Sequence, residues 1–197
     1  LRATGGEEKD ILANSTDWWK ELESIQGKIR EHYQKERDLL SSQLDLGEKQ
    51  KIPLEDKIAY NRQIQESLHL EAEYLRSIGG KQEEINALSL EWWETQEKIA
   101  EAIQDTYSYQ REGLQFQLEL LSAQDDFSGG IYHAGERIAL NRQIQDSLHE
   151  EAERLREIGA EQSDINDLSL EWWEIQDDIL SLQNNLWSEL DDAISRE

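Results

Sequence analysis

Asn61-Arg62-Gln63-Ile64-Gln65 returns as Asn141-Arg142-Gln143-Ile144-Gln145, and Leu88-Ser89-Leu90-Glu91-Trp92-Trp93-Glu94 returns as Leu168-Ser169-Leu170-Glu171-Trp172-Trp173-Glu174. Between residues 61–99 and 141–179, 27 of 39 aligned positions are identical, at a constant offset of 80. A chain built by repetition draws its purpose from length, spacing or a repeated surface, because one catalytic pocket does not require its scaffold twice. The repeat points away from an enzyme.

A more diverged copy lies upstream at an offset of 74, where Gly5-Gly6 answers Gly79-Gly80 and Asp17-Trp18-Trp19 answers Glu91-Trp92-Trp93. The same offset relates Tyr33 to Tyr107, Arg37 to Arg111 and Gln43 to Gln117. Six residues have therefore been added in the later copy, around Asp125-Asp126-Phe127-Ser128-Gly129-Gly130, as expected of a surface loop where extra length costs little entropy. The chain reads as a cut through an array. Residues 1–54 form a partial first repeat, 55–134 a second and 135–197 a truncated third. Having no methionine, it also reads as a processed or excised piece of a longer protein.

The repeated segments are helical by composition and by period. Glu, Gln, Leu, Ala and Lys favour helix, and the single proline, Pro53, leaves long stretches uninterrupted. From Ile85 the apolar positions run Leu88, Trp92, Ile99, Ile103, Tyr107, Leu114, Leu118 and Leu121, a stripe near the helical period of 3.6. That predicts one helix over about 81–125, roughly 65–70 Å long, with equivalents over about 7–46 and 161–196. Shorter helices are predicted over about 55–78 and 135–158, with Ile58, Ile64, Leu68, Ala72 and Leu75 repeated as Ile138, Ile144, Leu148, Ala152 and Leu155. Gly79-Gly80 and Gly159 supply left-handed stops, and Pro53 and Gly129-Gly130 break the chain at the other ends.

Short connections make neighbouring helices antiparallel, so each short helix must pair with the back of one long helix and the front of the next. The expected fold is all-α, an elongated rod of tandem overlapping antiparallel three-helix bundles. This is the architecture of spectrin-type rods, which it resembles in connectivity only: the period of 80 is shorter and no spectrin sequence motif is present.

Charge and composition exclude several classes. With 44 acidic against 20 basic residues the net charge is −24, so nucleic acid and anionic membranes are not expected partners. No stretch approaches the ~20 apolar residues of a membrane span, and the first residues do not resemble a signal peptide; the chain reads as soluble. It has no cysteine, hence no disulfide or thiolate metal site. Seven tryptophans in regular apolar spacing speak against disorder.

The paired Trp18-Trp19, Trp92-Trp93 and Trp172-Trp173 are the loudest local feature. Adjacent helical positions point about 100° apart, so both members are buried only where a helix touches two neighbours. A three-helix bundle offers that, with Leu90 and Trp93 on one stripe and Leu88 and Trp92 on the other. Core packing is the expectation, and the alternative is an exposed patch for a partner or sister chain. Trp187 takes the place of Tyr33 and Tyr107 and is expected in the core. Asn61 and Asn141 fall on the apolar face, as buried amides that fix register or as helix-start residues. His69 and His149 are expected at the helix edge in water, since one histidine per copy does not make a metal site. Acidic pairs such as Glu83-Glu84, Asp125-Asp126, Asp177-Asp178 and Asp191-Asp192 are expected as solvated faces. No catalytic residue, metal or cofactor is expected.

The repeated Leu-Ser-Leu-Glu-Trp-Trp-Glu and Asn185-Leu186-Trp187-Ser188-Glu189-Leu190 resemble helical segments of tail tape-measure proteins from phages and prophages of Gram-positive bacteria. The resemblance implies a ruler whose length sets that of the tail tube, located in the virion or phage tail and otherwise in the cytoplasm. It transfers no site residues. The expected function is a structural spacer, ruler or filament segment whose partners are other protein chains, whether tail or scaffold proteins or copies of itself. The alternative is an acidic helical adaptor for a basic protein.

Overall fold

The computed structural model describes residues 4–50, 52–128 and 132–195. They form five helices: α1 (Thr4–Gln50), α2 (Leu54–Ser77), α3 (Gln82–Ser128), α4 (Ala134–Ile158) and α5 (Gln162–Ile194). The order is long, short, long, short, long, with ends within a few residues of the expected ones. Gly129 and Gly130, expected to break the chain before α4, lie outside the described residues.

The helix ends follow from local chemistry. Pro53 stands before α2 at φ −55° and ψ 148°, and its carbonyl accepts from the amides of Asp56 and Lys57 at 3.1 and 3.2 Å. Glu55 and Asp56 in the first turn and Arg76 in the last complement the helix dipole. Past α2, Gly79 adopts φ +69°; its amide donates to Arg76 at 3.2 Å and that of Gly80 to Leu75 at 2.7 Å. Past α4, Gly159 at φ +71° donates to Arg156 at 3.0 Å and Ala160 to Leu155 at 2.9 Å. Both ends are Schellman motifs, in which a left-handed residue lets two amides satisfy the last carbonyls.

Packing divides the chain into two compact units, Leu1–Thr95 and Gln96–Glu197, so α3 contributes its first residues to one and its remainder to the other. In the first unit α1, α2 and the start of α3 pack together. The core is Leu40 from α1, Ile64, Leu68, Ala72 and Leu75 from α2, and Ile85 and Leu88 from α3, flanked by Leu44, Tyr60 and Trp92. The turns reverse the chain twice. Ile52 bonds back to Gly47 at the first, and beyond the second Gln65 of α2 reaches the Trp92 carbonyl of α3 at 3.3 Å.

In the second unit residue numbers rise along α3 as they fall along α4, so the two helices run antiparallel: Gln96 bonds the Ile158 carbonyl, Arg111 pairs with Glu151, and Arg137 reaches Asp125. On the other side of α4, Gln145 reaches the Trp172 carbonyl of α5 at 3.1 Å, and Ile138 packs with Ile179, Leu182 and Ile175. Ile99, Ile103, Leu148 and Leu155 are almost completely buried. Each such side chain contributes about 1.5–3 kcal/mol on leaving water.

Two expectations are corrected by burial. Leu90, placed on a buried stripe, is exposed, and so is its counterpart Leu170. The three helices of a bundle close over one arc of each long helix, and the neighbouring arc, 100° away, stays open. Asp125, expected on a solvated face, is buried: it accepts from the His133 amide at 3.0 Å, lies 2.8 Å from His133 Nδ1 and receives Arg137 Nη1 at 3.4 Å. It ties the end of α3 to the start of α4 beside the six added residues.

Candidate interaction grooves

A groove lies between the short helix and the following long helix in each unit. In the first, α2 supplies Leu68, His69, Ala72 and Arg76, and α3 supplies Leu88, Ser89, Trp92 and Trp93, around a volume of about 200 Å³. In the second, Leu148, His149, Ala152 and Arg156 of α4 face Leu168, Ser169, Trp172 and Trp173 of α5 around about 230 Å³. Every lining residue has its counterpart 80 positions on, and all eight residue types are the same.

Helical geometry builds the lining. Leu68 and Ala72 lie four apart on the core-facing side of α2, with His69 and Arg76 at its rim, while Leu88 and Trp92 form the matching row on α3. The indoles of Trp92 and Trp93 meet edge to face at 5.1 Å and 85°, and those of Trp172 and Trp173 at 5.0 Å and 84°. This is the favoured orientation for aromatic pairs. Gln65 and Gln145, both buried, hold the backbone beneath each pair through Trp92 and Trp172. Ser89 and Ser169 donate to the carbonyls of Ile85 and Ile165 at 2.9 Å, which commits their hydroxyl protons to the helix.

The expectation that both tryptophans of a pair are core is corrected. Trp92 and Trp172 are half-buried, whereas Trp93 and Trp173 are 61% and 63% exposed. Trp18 and Trp19 of α1 are exposed too, although they meet edge to face at 4.9 Å, and so is Trp187 of α5. A long helix in contact with one short helix covers one indole of an adjacent pair, and the other projects along the groove rim.

Asn61 and Asn141 are buried. Asn61 lies two turns inside α2, too far in to cap it, and its side-chain amide donates to the Lys57 carbonyl at 3.0 Å. His69 is exposed, with Nε2 3.6 Å from Glu73. Among the described residues no cluster of three His, Cys, Asp or Glu side chains could hold a metal, and no helix is long and apolar enough to cross a membrane.

The residues that sequence reasoning missed are charged and buried. Arg37 and Glu71 pair at 2.7 Å with 8% of each side chain accessible, and Arg111 pairs with Glu151 in the second unit. Gln34 accepts from the other terminal nitrogen of Arg37 at 3.0 Å. Burial pushes the Glu151 carboxyl above its ordinary value; the Arg111 hydrogen bond and charge pull it down without cancelling that rise, and Glu171 adds to it. At Asp125 burial is the largest single influence and acts upward. The hydrogen bonds from His133 and Arg137 together with the His133 charge outweigh it and leave the carboxyl below its ordinary value. A signal for the pair was available: Arg37 recurs as Arg111 on the apolar stripe, and Glu71 as Glu151 beside Ala72 and Ala152.

No protein-family model, curated protein or solved structure matches this chain.

Proposed function

We propose that this chain is a structural segment, a spacer or ruler built from a repeated three-helix module, in keeping with its resemblance to tape-measure proteins. The single observation behind this reading is that the two units repeat the buried face of the short helix, the left-handed helix stops, the buried Arg–Glu pair and the groove lining. A spacer needs a unit that can be added without altering its neighbours, and nearest-neighbour packing of repeated modules supplies one. On this reading the partners are other protein chains and the segment carries out no reaction.

The test is to change the number of modules. A chain carrying a second copy of residues 61–140 is expected to lengthen by a fixed increment of about 35 Å, the rise of one short helix, as measured by small-angle X-ray scattering. A chain whose added module leaves the maximum dimension unchanged would overturn the spacer.

A second reading, an acidic helical adaptor for a basic protein, is favoured by exposed Trp93 and Trp173 recurring in matched grooves. It predicts that replacing both with Ala lowers affinity for basic amphipathic peptides at least tenfold without changing helix content, whereas a spacer tolerates the change.

A further inference from the structure

The second half of α3 carries two apolar stripes, and the bundle covers only one of them. Tyr107, Arg111 and Asp125 are buried on the arc that meets α4, with Leu114, Leu118 and Leu121 half-buried on the same side. About half a turn away around the helix run Tyr109, Gly113, Phe116, Leu120, Ala123 and Phe127, all exposed. Tyr109 and Phe116 are 73% and 67% exposed. Tyr109, Phe116 and Ala123 recur every seven residues, and Gly113, Leu120 and Phe127 do the same four positions on. These are the two seam positions of a helix that pairs with another helix. The edges keep the same period: Gln110, Gln117 and Gln124 line one side, and Glu112, Glu119 and Asp126 the other. Large and small residues alternate along the seam, and a Cβ added at Gly113 would meet nothing within 4 Å, so no group of this chain occupies that gap.

Packing between modules does not account for this seam. The helices that follow α3 in the repeat are in place, and they approach it from the other side, around Leu118 and Ser122. A contact made by every module would also recur along the chain. This one does not: at the offset of 74, Lys35 and Ser42 of α1 stand where α3 has Tyr109 and Phe116, and at the offset of 80 α5 has Glu189 in place of Tyr109.

The charges on the edges decide which helix fits. A second copy of α3 laid antiparallel would set acid against acid along one whole edge, and laid parallel it would set each acid against a glutamine and gain no attraction. The net charge of −24 on each chain opposes both. Asp178 of α5 borders the acidic edge at Glu119, while Arg137 beside it is turned to Asp125. A helix with Lys or Arg flanking its own apolar seam meets a carboxylate at three levels, seven residues apart. We propose that the stripe from Tyr109 to Phe127 pairs with a basic amphipathic helix of a partner protein, its seam packed on Phe116 and Leu120 and its cations against Glu112, Glu119 and Asp126. The acidic edge makes the face selective against acidic helices, this chain's own included. The site lies apart from the grooves at Trp93 and Trp173 and does not depend on the segment being a spacer.

The test uses the whole chain and labelled synthetic peptides of about three heptads, the length of the stripe. One has Leu at both seam positions and Lys at both flanking positions, the second has Glu for Lys, and the third is the Lys peptide scrambled. Fluorescence anisotropy is expected to show the ordered Lys peptide binding at least tenfold more tightly than either of the others. Phe116→Ala in the chain is expected to weaken that binding at least tenfold while circular dichroism stays unchanged, and Glu112→Lys with Glu119→Lys to transfer the preference to the Glu peptide. The scrambled peptide separates seam pairing from the general attraction of an acidic chain for a cationic peptide. Equal binding of the ordered and scrambled Lys peptides, no binding of any peptide, or a preference that survives the charge exchange would each overturn the proposal. So would binding lost with Trp93→Ala and kept with Phe116→Ala, which places the site in the groove, or self-association of the native chain that Phe116→Ala abolishes, which assigns the stripe to a second copy.

Discussion

Arg37 Nη1 lies 2.7 Å from Glu71 Oε2 in the interior of the first unit, and Arg111 and Glu151 repeat the pair in the second. Both ions have left water, and the desolvation of such a pair is comparable with its attraction. Its value lies in orientation: a buried guanidinium accepts only a register that brings a carboxylate to it.

Removing one partner should therefore cost far more than removing both. Glu71→Leu alone leaves a buried cation and is expected to destabilise the first unit by about 3–5 kcal/mol, whereas Arg37→Met with Glu71→Leu should be close to neutral. Urea denaturation of the two variants checks this. A double variant as unstable as the single one would mean that the pair contributes stability outright.

The second unit should respond to pH in two opposed ways. The Glu151 carboxyl is held above its ordinary value of 4.5, so the folded state binds that proton more tightly than the unfolded one. Relative to Glu151→Gln, the native chain should gain stability as pH falls through the raised value toward 4.5, and the difference should then level off. Asp125 is held below its ordinary 3.8, so its contribution is present above that pH and is lost as pH falls below it. Relative to Asp125→Asn, the native chain should lose stability in that acid range. Thermal melts of the three proteins across pH give the comparison.

The helix stops allow a test of backbone conformation free of packing. A Cβ added at Gly79 or Gly159 would meet nothing within 4 Å, so the penalty is the left-handed backbone alone. Gly79→Ala and Gly159→Ala should each cost about 1–2 kcal/mol, and Asn at either position less. Calorimetric melting temperatures report the order Gly, Asn, Ala.

The tryptophans separate rim from core. Trp93→Ala removes an exposed indole together with its edge-to-face contact to Trp92, and should cost no more than about 1.5 kcal/mol. Ile103→Ala, at a fully buried position, should cost about 2–5 kcal/mol. Chemical denaturation of both variants distinguishes them, and a large loss at Trp93 would show that its indole supports the fold.

The helices and their limits were legible because period and punctuation agree: the stripe from Ile85 to Leu121 runs at the helical interval, Pro53 falls just before the first short helix, and Gly79 and Gly159 fall where the short helices end. The groove was half legible. The Trp-Trp repeat marked it, but adjacency on a helix does not say which indole the neighbour covers, and Trp93 falls on the open arc. Arg37 and Glu71 were not read as a buried pair because long charged side chains normally keep their heads in water. Asp125 looked like half of a solvated acidic pair, since its partners His133 and Arg137 follow a loop whose path the sequence does not describe.

Small-angle X-ray scattering with light scattering on the whole chain tests the spacer account most directly. It predicts a monomer with a maximum dimension above about 100 Å, from the helical rise summed along successive modules. A compact particle with a radius of gyration near ~16–17 Å, the value for a globular chain of this length, would contradict it.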